Sequence, residues 1–164
     1  MYRFVPGLAA AFVMVVSVSA IRANDVFDSR TPDVIFTDRS GRALSDPLFD
    51  ALVSPNMTPH VTVFAVSNNG DLPARYTIDV SPPRKIGTAS SLAERLVVTV
   101  RETASQTIVY DGSLDRLRIR RPQAVQPKHI VGYSVSISWP AAADDDRYQG
   151  NAVTVDLVLT AVAA

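Results

Sequence analysis

Apolar and polar residues alternate along four stretches of the chain, and this alternation predicts β-strands. Successive side chains of a strand point to opposite faces, so each stretch presents one apolar face to a core. The four stretches are ARYTIDV (74–80), RLVVTVR (95–101), YSVSISW (133–139) and AVTVDLVLTA (152–161). Shorter apolar runs predict further strands at 33–37, 60–68, 107–112 and 116–120.

Turn-forming residues separate these runs. Asn68, Asn69 and Gly70 predict a tight hairpin, because Asn and Gly tolerate a positive φ. Prolines and an Asp-Gly pair interrupt the chain at 82–83, 111–112 and 140. The stretch TASSLAERL (88–96) predicts one or two helical turns that Ser90 or Ser91 would cap. Together these signals predict an all-β fold, an antiparallel sandwich of two sheets of the jelly-roll or immunoglobulin type. It would contain about eight strands and at most one short helix.

The N-terminus has the pattern of an export signal. Arg3 provides a positive charge, residues 4–18 are almost all apolar, and small residues follow at Ala20 and Ala23. We therefore expect residues 1–23 to be a signal peptide, cleaved after Ala20 or Ala23. The remainder, residues 24–164, is predicted to be a single secreted domain with no membrane span after cleavage.

Composition narrows the function classes. Lys plus Arg and Asp plus Glu both number 16, so the formal net charge is zero. A balanced charge lacks the basic footprint of nucleic-acid binding, and no nucleic-acid partner is expected. The chain contains no cysteine, so an exported domain of this sequence must be held together by packing and strand pairing.

Candidate chemistry is sparse, and the sequence predicts no catalytic residue, no cofactor and no enzyme. His60 and His129 are the only histidines, and no HExxH motif accompanies them. The triplet around Asp144 and Asp146 is a weak calcium candidate, because no EF-hand-type loop surrounds it. The single tryptophan, Trp139, continues the apolar face of its strand and is expected in the core.

A cluster of arginines is the sharpest charge feature. Leu117 and Ile119 alternate with these arginines, which predicts that the arginines share one outer face of a strand. Such a face discourages edge-to-edge association; it is also a candidate contact for anionic envelope polymers or for acidic residues of a neighbouring subunit. The cluster consists of Arg116, Arg118, Arg120 and Arg121.

Several stretches, taken in order, resemble the TasA/camelysin family of exported bacterial proteins. They are NDVFDSRTPDVIFTD after the signal, VTVFAVSNNGDLPARYTIDV, LVVTVRE with IVYDGSLDRL, GYSVSISWP, and DDDRYQGNAVTVDLVLTAV. The resemblance spans nearly the whole mature chain, although MTPHVTV lacks the Pro-Gly-Asp lead that the family usually has before this strand.

The resemblance implies a jelly-roll-like sandwich and an extracellular subunit of matrix or biofilm fibres. In fibre-forming members the released N-terminal segment adds as a strand to the next subunit, so the expected partner is a second copy in a head-to-tail homopolymer. The corresponding donor segment here is residues 24–37, with the buried contacts Val26, Phe27, Val34, Ile35 and Phe36.

Two alternatives stay open. Some family members are described as metallopeptidases, and a site of that kind would have to use His60, His129 and aspartate carboxylates. The other alternative is a monomeric binding module of the cell envelope, which would use the arginine face or a loop at one end of the sandwich.

Overall fold

The computed structural model describes residues 14–17, 32–44, 48–51, 56–81, 84–86, 92–140 and 152–164. Within them the chain forms eleven strands, one α-helical turn, α1 (Leu92–Arg95), and one 3-10 turn (Leu114–Arg116). The strands are β1 (Met14–Ser17), β2 (Val34–Thr37), β3 (Phe49–Ala51), β4 (His60–Asn68), β5 (Ala74–Val80), β6 (Arg84–Ile86), β7 (Val97–Glu102), β8 (Ile108–Ser113), β9 (Arg118–Val125), β10 (Ile130–Ser138) and β11 (Ala152–Ala163).

The strands form two sheets that pack face to face. One sheet has the order β3-β1-β11-β5-β9, with β6 also paired to β11, and the other has the order β2-β4-β10-β7-β8. Every strand pair is antiparallel except β1 with β11. The prediction of an all-β antiparallel sandwich with a single short helix is confirmed, and all eight predicted strands are present.

The core lies between the sheets and is built from the apolar faces that alternate along the strands. Tyr133 pairs with Phe64 on the neighbouring strand, with their ring centroids 5.2 Å apart. Phe64 also makes an edge-to-face contact with Phe36 at 5.7 Å. Trp139 is 1% exposed, which confirms its predicted place in the core. Burying each such side chain contributes about 1.5–3 kcal/mol to folding.

The Asn-Gly segment after β4 is not a hairpin, and that prediction is wrong. β4 and β5 belong to different sheets, so residues 69–73 form an arch from one sheet to the other. Asn68 is fully buried and supports this arch: its Nδ2 donates to the carbonyls of Leu72 and Val125, at 2.8 and 2.9 Å. Its Oδ1 accepts from the Gly70 N–H at 3.1 Å. The Asn68 side chain thus provides hydrogen-bond partners for backbone groups of the arch that strand pairing does not satisfy.

The Asp-Gly pair at 111–112 lies inside β8 and does not end it. The Tyr110 side chain lies over position 112, and only a residue without a side chain leaves room for it. A Cβ at position 112 would lie 2.9 Å from the Tyr110 hydroxyl oxygen. That hydroxyl donates a 2.6 Å hydrogen bond to the Ser113 carbonyl. The glycine therefore provides room for a side chain and does not form a turn.

Candidate functional site

The strand position occupied by β1 is the most unusual feature of the larger sheet. Val15 and Val16 pair in parallel with Thr154 and Val155 of β11. On its other side β1 pairs antiparallel with β3, which places Val16 opposite Phe49. A strand drawn from the extreme N-terminus therefore lies between two others and is hydrogen-bonded on both sides. We call this place the β1 position.

Buried apolar residues surround the β1 position. Val155 and Leu157 of β11 are 1% and 4% exposed, and Phe49 of β3 is 7% exposed. Phe49 and Leu157 also line an apolar cavity of about 20 Å³ between the sheets. Within the described residues β3 has no strand partner other than β1. Without a strand in the β1 position, β11 would present an open apolar edge and β3 would lose its place in the sheet.

The structure describes only the second half of the predicted donor segment, and it places that half in a strand of its own chain. Val34, Ile35 and Phe36 belong to β2, which pairs with β4 of the same chain. Phe36 is 2% exposed there, and the carbonyl of Phe36 accepts from the Leu44 N–H at 3.2 Å. These residues already hold a place in their own sheet. Val26 and Phe27 lie outside the described residues.

A polar cluster joins the two sheets near the β7–β8 end of the sandwich. The hydroxyls of Tyr76 and Tyr133, on opposite sheets, are 2.6 Å apart and buried. Beside them Arg121 Nη1 donates to Glu102 Oε1 at 2.8 Å, again from one sheet to the other. Burial raises the pKa of Tyr76 and of Tyr133 above the ordinary tyrosine value, while the charge of Arg121 acts in the opposite direction. The cluster therefore holds neutral tyrosines beside an ion pair, which is an arrangement that fastens two sheets together.

The arginines do not all share one face, and for Arg121 the prediction is wrong. Arg121 is two residues after the buried Ile119 and so shares its inward face, opposite Tyr76 of β5, from where it reaches the other sheet. Arg118 and Arg120 do point outward, and Arg118 forms a 2.9 Å ion pair with Asp79. Arg116 lies in the 3-10 turn with its side chain 84% exposed. Three of the four remain available as a surface.

The two histidines lie at opposite ends of one strand ladder. His60 begins β4 and pairs with Ile137, whereas Ile130, which follows His129, pairs with Ser67. Seven residues of ladder at about 3.4 Å each separate these levels, a distance of roughly 24 Å. Zinc ligands must lie within about 2.1 Å of one ion, so His60 and His129 do not share a site. Across the described part of the chain, no group of three or more His, Cys, Asp or Glu residues is placed to hold a metal ion. Asp144 and Asp146 lie outside that part.

Sequence reasoning missed the β1 position and the inter-sheet cluster, for different reasons. The run around Met14–Ser17 is continuously apolar and shows no alternation, so its pattern indicates an export signal and gives no strand period. Tyr76 and Tyr133 are at apolar positions of the alternating stretches ARYTIDV and YSVSISW, which predicts inward faces, but their meeting depends on which strands oppose each other across the sandwich. A tyrosine at an inward position is the available signal, because its hydroxyl needs a partner when buried.

Comparison with known proteins adds no assignment to this geometry. None of the helices in the described segments is of a length and apolarity that would cross a membrane. A scan against protein-family models and a search of curated proteins found no match to the chain.

Proposed function

We propose that the chain is a secreted structural subunit of extracellular matrix or biofilm fibres, of the TasA/camelysin type. It would leave the cell through its export signal and assemble head-to-tail with further copies of itself. Each copy would add its N-terminal strand to the sheet of the next. The function is carried by the β1 position, an interior strand of the sandwich that is formed by residues expected to be removed on export.

Cleavage after Ala20 or Ala23 would take Met14–Ser17 away and leave the β1 position empty between β3 and β11. An added strand restores main-chain hydrogen bonds on both edges and covers the apolar side chains of Val155 and Leu157. A segment that leaves one copy and enters a different surface of the next makes a heterologous contact. Such contacts build open filaments unless the rotation happens to close a ring.

The donor would be the N-terminal part of the predicted segment, around Val26 and Phe27, because Val34–Phe36 are engaged in β2. This donor is shorter than the predicted 24–37, and its length matches that of the strand in the β1 position. β1 itself contributes only three paired residues to β11.

Negative-stain microscopy of the secreted form tests this proposal. The mature chain, residues 24–164, is expected to form filaments, and a chain that begins at Thr31 is expected to remain as single particles. The variant Val26→Ser with Phe27→Ser is the matched control, because it keeps the length and removes the apolar contacts. Unchanged filaments from the chain that begins at Thr31 would refute strand addition by this segment.

A second candidate is a binding module of the cell envelope, which the exposed arginines favour. Arg116, Arg118 and Arg120 are exposed, and within the described segments Arg118 pairs with Asp79 and Arg116 with Asp115. A protein acting this way would sediment with anionic wall polymers and would lose that binding on Arg120→Glu. Arg75→Glu, on the neighbouring strand of the same face, provides a second test of it.

A further inference from the structure

The β1 position also suggests how assembly is controlled, an inference that rests on the proposed function. We propose that Met14–Ser17 is an internal plug: while the N-terminus is intact it fills the acceptor of its own chain. After cleavage the acceptor is refilled by the Asn24–Phe27 segment of a second copy, and not by that of the same chain. Processing would therefore convert a closed monomer into an assembling subunit.

The plug occupies both edges that a donor needs. Its residues are paired to Thr154, Val155 and Asp156 on one side and to Phe49, Asp50 and Ala51 on the other. A second strand cannot enter until these pairs separate. Because the plug is tethered to the same chain, its effective concentration is in the mM range. A donor at about 10 μM is then suppressed about 100-fold at equal intrinsic affinity.

Chain reach argues against refilling by the same copy. β2 begins at Val34, which pairs with Asn68. A hydrogen bond between sheets fixes the level of Asn68 relative to the other sheet: its side chain donates to the Val125 carbonyl. Val125 pairs with Ala74, and Ala74 pairs with Ala163 at the end of β11. Val34 is thus level with the far end of β11, whereas Ser17 is level with Asp156. These levels differ by about seven residues, or roughly 24 Å, and the sheets are about 10 Å apart, so the gap is about 26 Å.

The linker from Phe27 to Val34 is seven residues long and spans at most about 23–25 Å when fully extended. With Phe27 in the place of Ser17 and β2 still paired, even a fully extended linker is only about as long as the gap. Pro32 shortens it further, because a polyproline-like segment rises only about 3.1 Å per residue. A second copy is not bound by this limit, since its own β2 need not lie at that distance.

Cysteine cross-linking tests the proposal without background, because the natural chain has no cysteine. Two single variants of the mature chain are mixed, Phe27→Cys as donor and Asp156→Cys as acceptor, with one of them labelled with ¹⁵N. The donor variant keeps Val26, and cysteine is itself a small apolar side chain, so the segment retains apolar contacts. A disulfide between positions 27 and 156 then joins two copies by construction. Thr160→Cys is the matched control acceptor, since it lies on the same outward face of β11 but opposite Thr77 of β5. We expect the 27–156 product and little 27–160 product.

The plug is tested with the full chain made by cell-free synthesis without membranes, which leaves the N-terminus intact. Ser17→Cys with Asp156→Cys should give a disulfide within one chain. The full-length Asp156→Cys acceptor should cross-link to the mature Phe27→Cys donor about 100-fold less than the mature acceptor does. Equal cross-linking of the two acceptors would overturn the plug.

The remaining outcomes separate the two proposals. A mature chain carrying both Phe27→Cys and Asp156→Cys that closes onto itself at high dilution would overturn assembly between copies at this site. Filaments without any 27–156 product would leave the fibre function standing and refute this acceptor. Dimers joined through 27–156 that never extend into filaments would support the acceptor and refute the fibre.

Discussion

Asn68 is the residue on which the arch between the two sheets depends. Its side chain donates to two carbonyls and accepts one N–H while fully buried. Asn68→Ala would leave these groups without partners, and each buried orphan costs about 1–3 kcal/mol. We expect a loss of about 2–4 kcal/mol in the free energy of unfolding, measured by urea denaturation.

The neighbouring Asn69 provides the control. Its side chain is exposed and accepts one hydrogen bond, from the Ser67 hydroxyl at 2.6 Å. Asn69→Ala should cost about 0.5–1.5 kcal/mol, the usual net value of one hydrogen bond. Equal losses for the two variants would show that the arch does not depend on Asn68.

The tyrosine pair predicts a loss of stability at alkaline pH. Burial raises the pKa of Tyr76 and of Tyr133 in the folded chain, whereas the unfolded value is about 10. Above pH 10 the unfolded chain has lost these protons and the folded chain has kept them. The free energy of unfolding therefore falls as the pH rises above 10, by at most about 1.4 kcal/mol per pH unit for each tyrosine. Urea titrations from pH 8 to 11 should show a shallower decline in Tyr76→Phe, and an unchanged slope would contradict this account.

At the scale of the elements, the turn after β7 packs closely against β10. The Thr103 N–H donates to the Gly132 carbonyl at 2.9 Å, which holds the turn against β10. A Cβ at Gly132 would lie only 2.5 Å from the Thr103 Oγ1. Gly132→Ala should therefore destabilise the protein by about 1–3 kcal/mol.

The double variant Gly132→Ala with Thr103→Ala removes the obstructing oxygen, and it should recover most of the loss. The coupling free energy between the two sites, obtained from urea denaturation of all four proteins, measures this contact directly. A coupling near zero would mean that the turn moves aside and that the close approach carries no cost.

The long strands could be predicted, whereas the three-residue strands could not. β4 and β5 were predicted with their exact bounds, because seven to nine residues of pattern leave little room for another register. β3 and β6 have only three residues each, too few to show a period of two. The hairpin at Asn68–Gly70 was predicted wrongly because Asn and Gly specify only a local bend. Packing between distant strands decides whether the next strand joins the same sheet.

The candidate site was predictable only in part. Phe36 is buried as its apolar character suggests and Val34 and Ile35 are half-buried, yet nothing local distinguishes a strand given to another copy from one kept in its own sheet. The alternation of Arg118 and Arg120 with buried neighbours correctly indicated an outward face, and the same alternation places Arg121 on the inward face of Ile119. The sequence of one strand does not show the partner that allows an arginine to face inward, which is Glu102 of the other sheet.

At the scale of the whole molecule, the two lateral sides of the sandwich are held together by different interactions. β8 and β9 lie at one side, where the Tyr76–Tyr133 pair and the Arg121–Glu102 ion pair fasten the sheets. At the other side the larger sheet ends in β1 and β3, and β3 depends on β1 for its pairing. Loss of the N-terminal strand would therefore open one side of the sandwich and leave the fastened side intact.

This asymmetry predicts that the stability of the mature chain depends on its concentration. If copies fill one another's β1 positions, binding stabilises the folded state by about 1.4 kcal/mol for each tenfold increase in concentration. The melting temperature of residues 24–164 should then rise by about 3–6 °C per tenfold. The full chain, with its plug in place, should melt at one temperature throughout the same range. The Val26→Ser, Phe27→Ser variant should melt lowest and also without concentration dependence, since it has neither plug nor apolar donor. Scanning calorimetry across two decades of concentration distinguishes these cases, and a mature chain whose melting temperature stays constant would exclude exchange between copies.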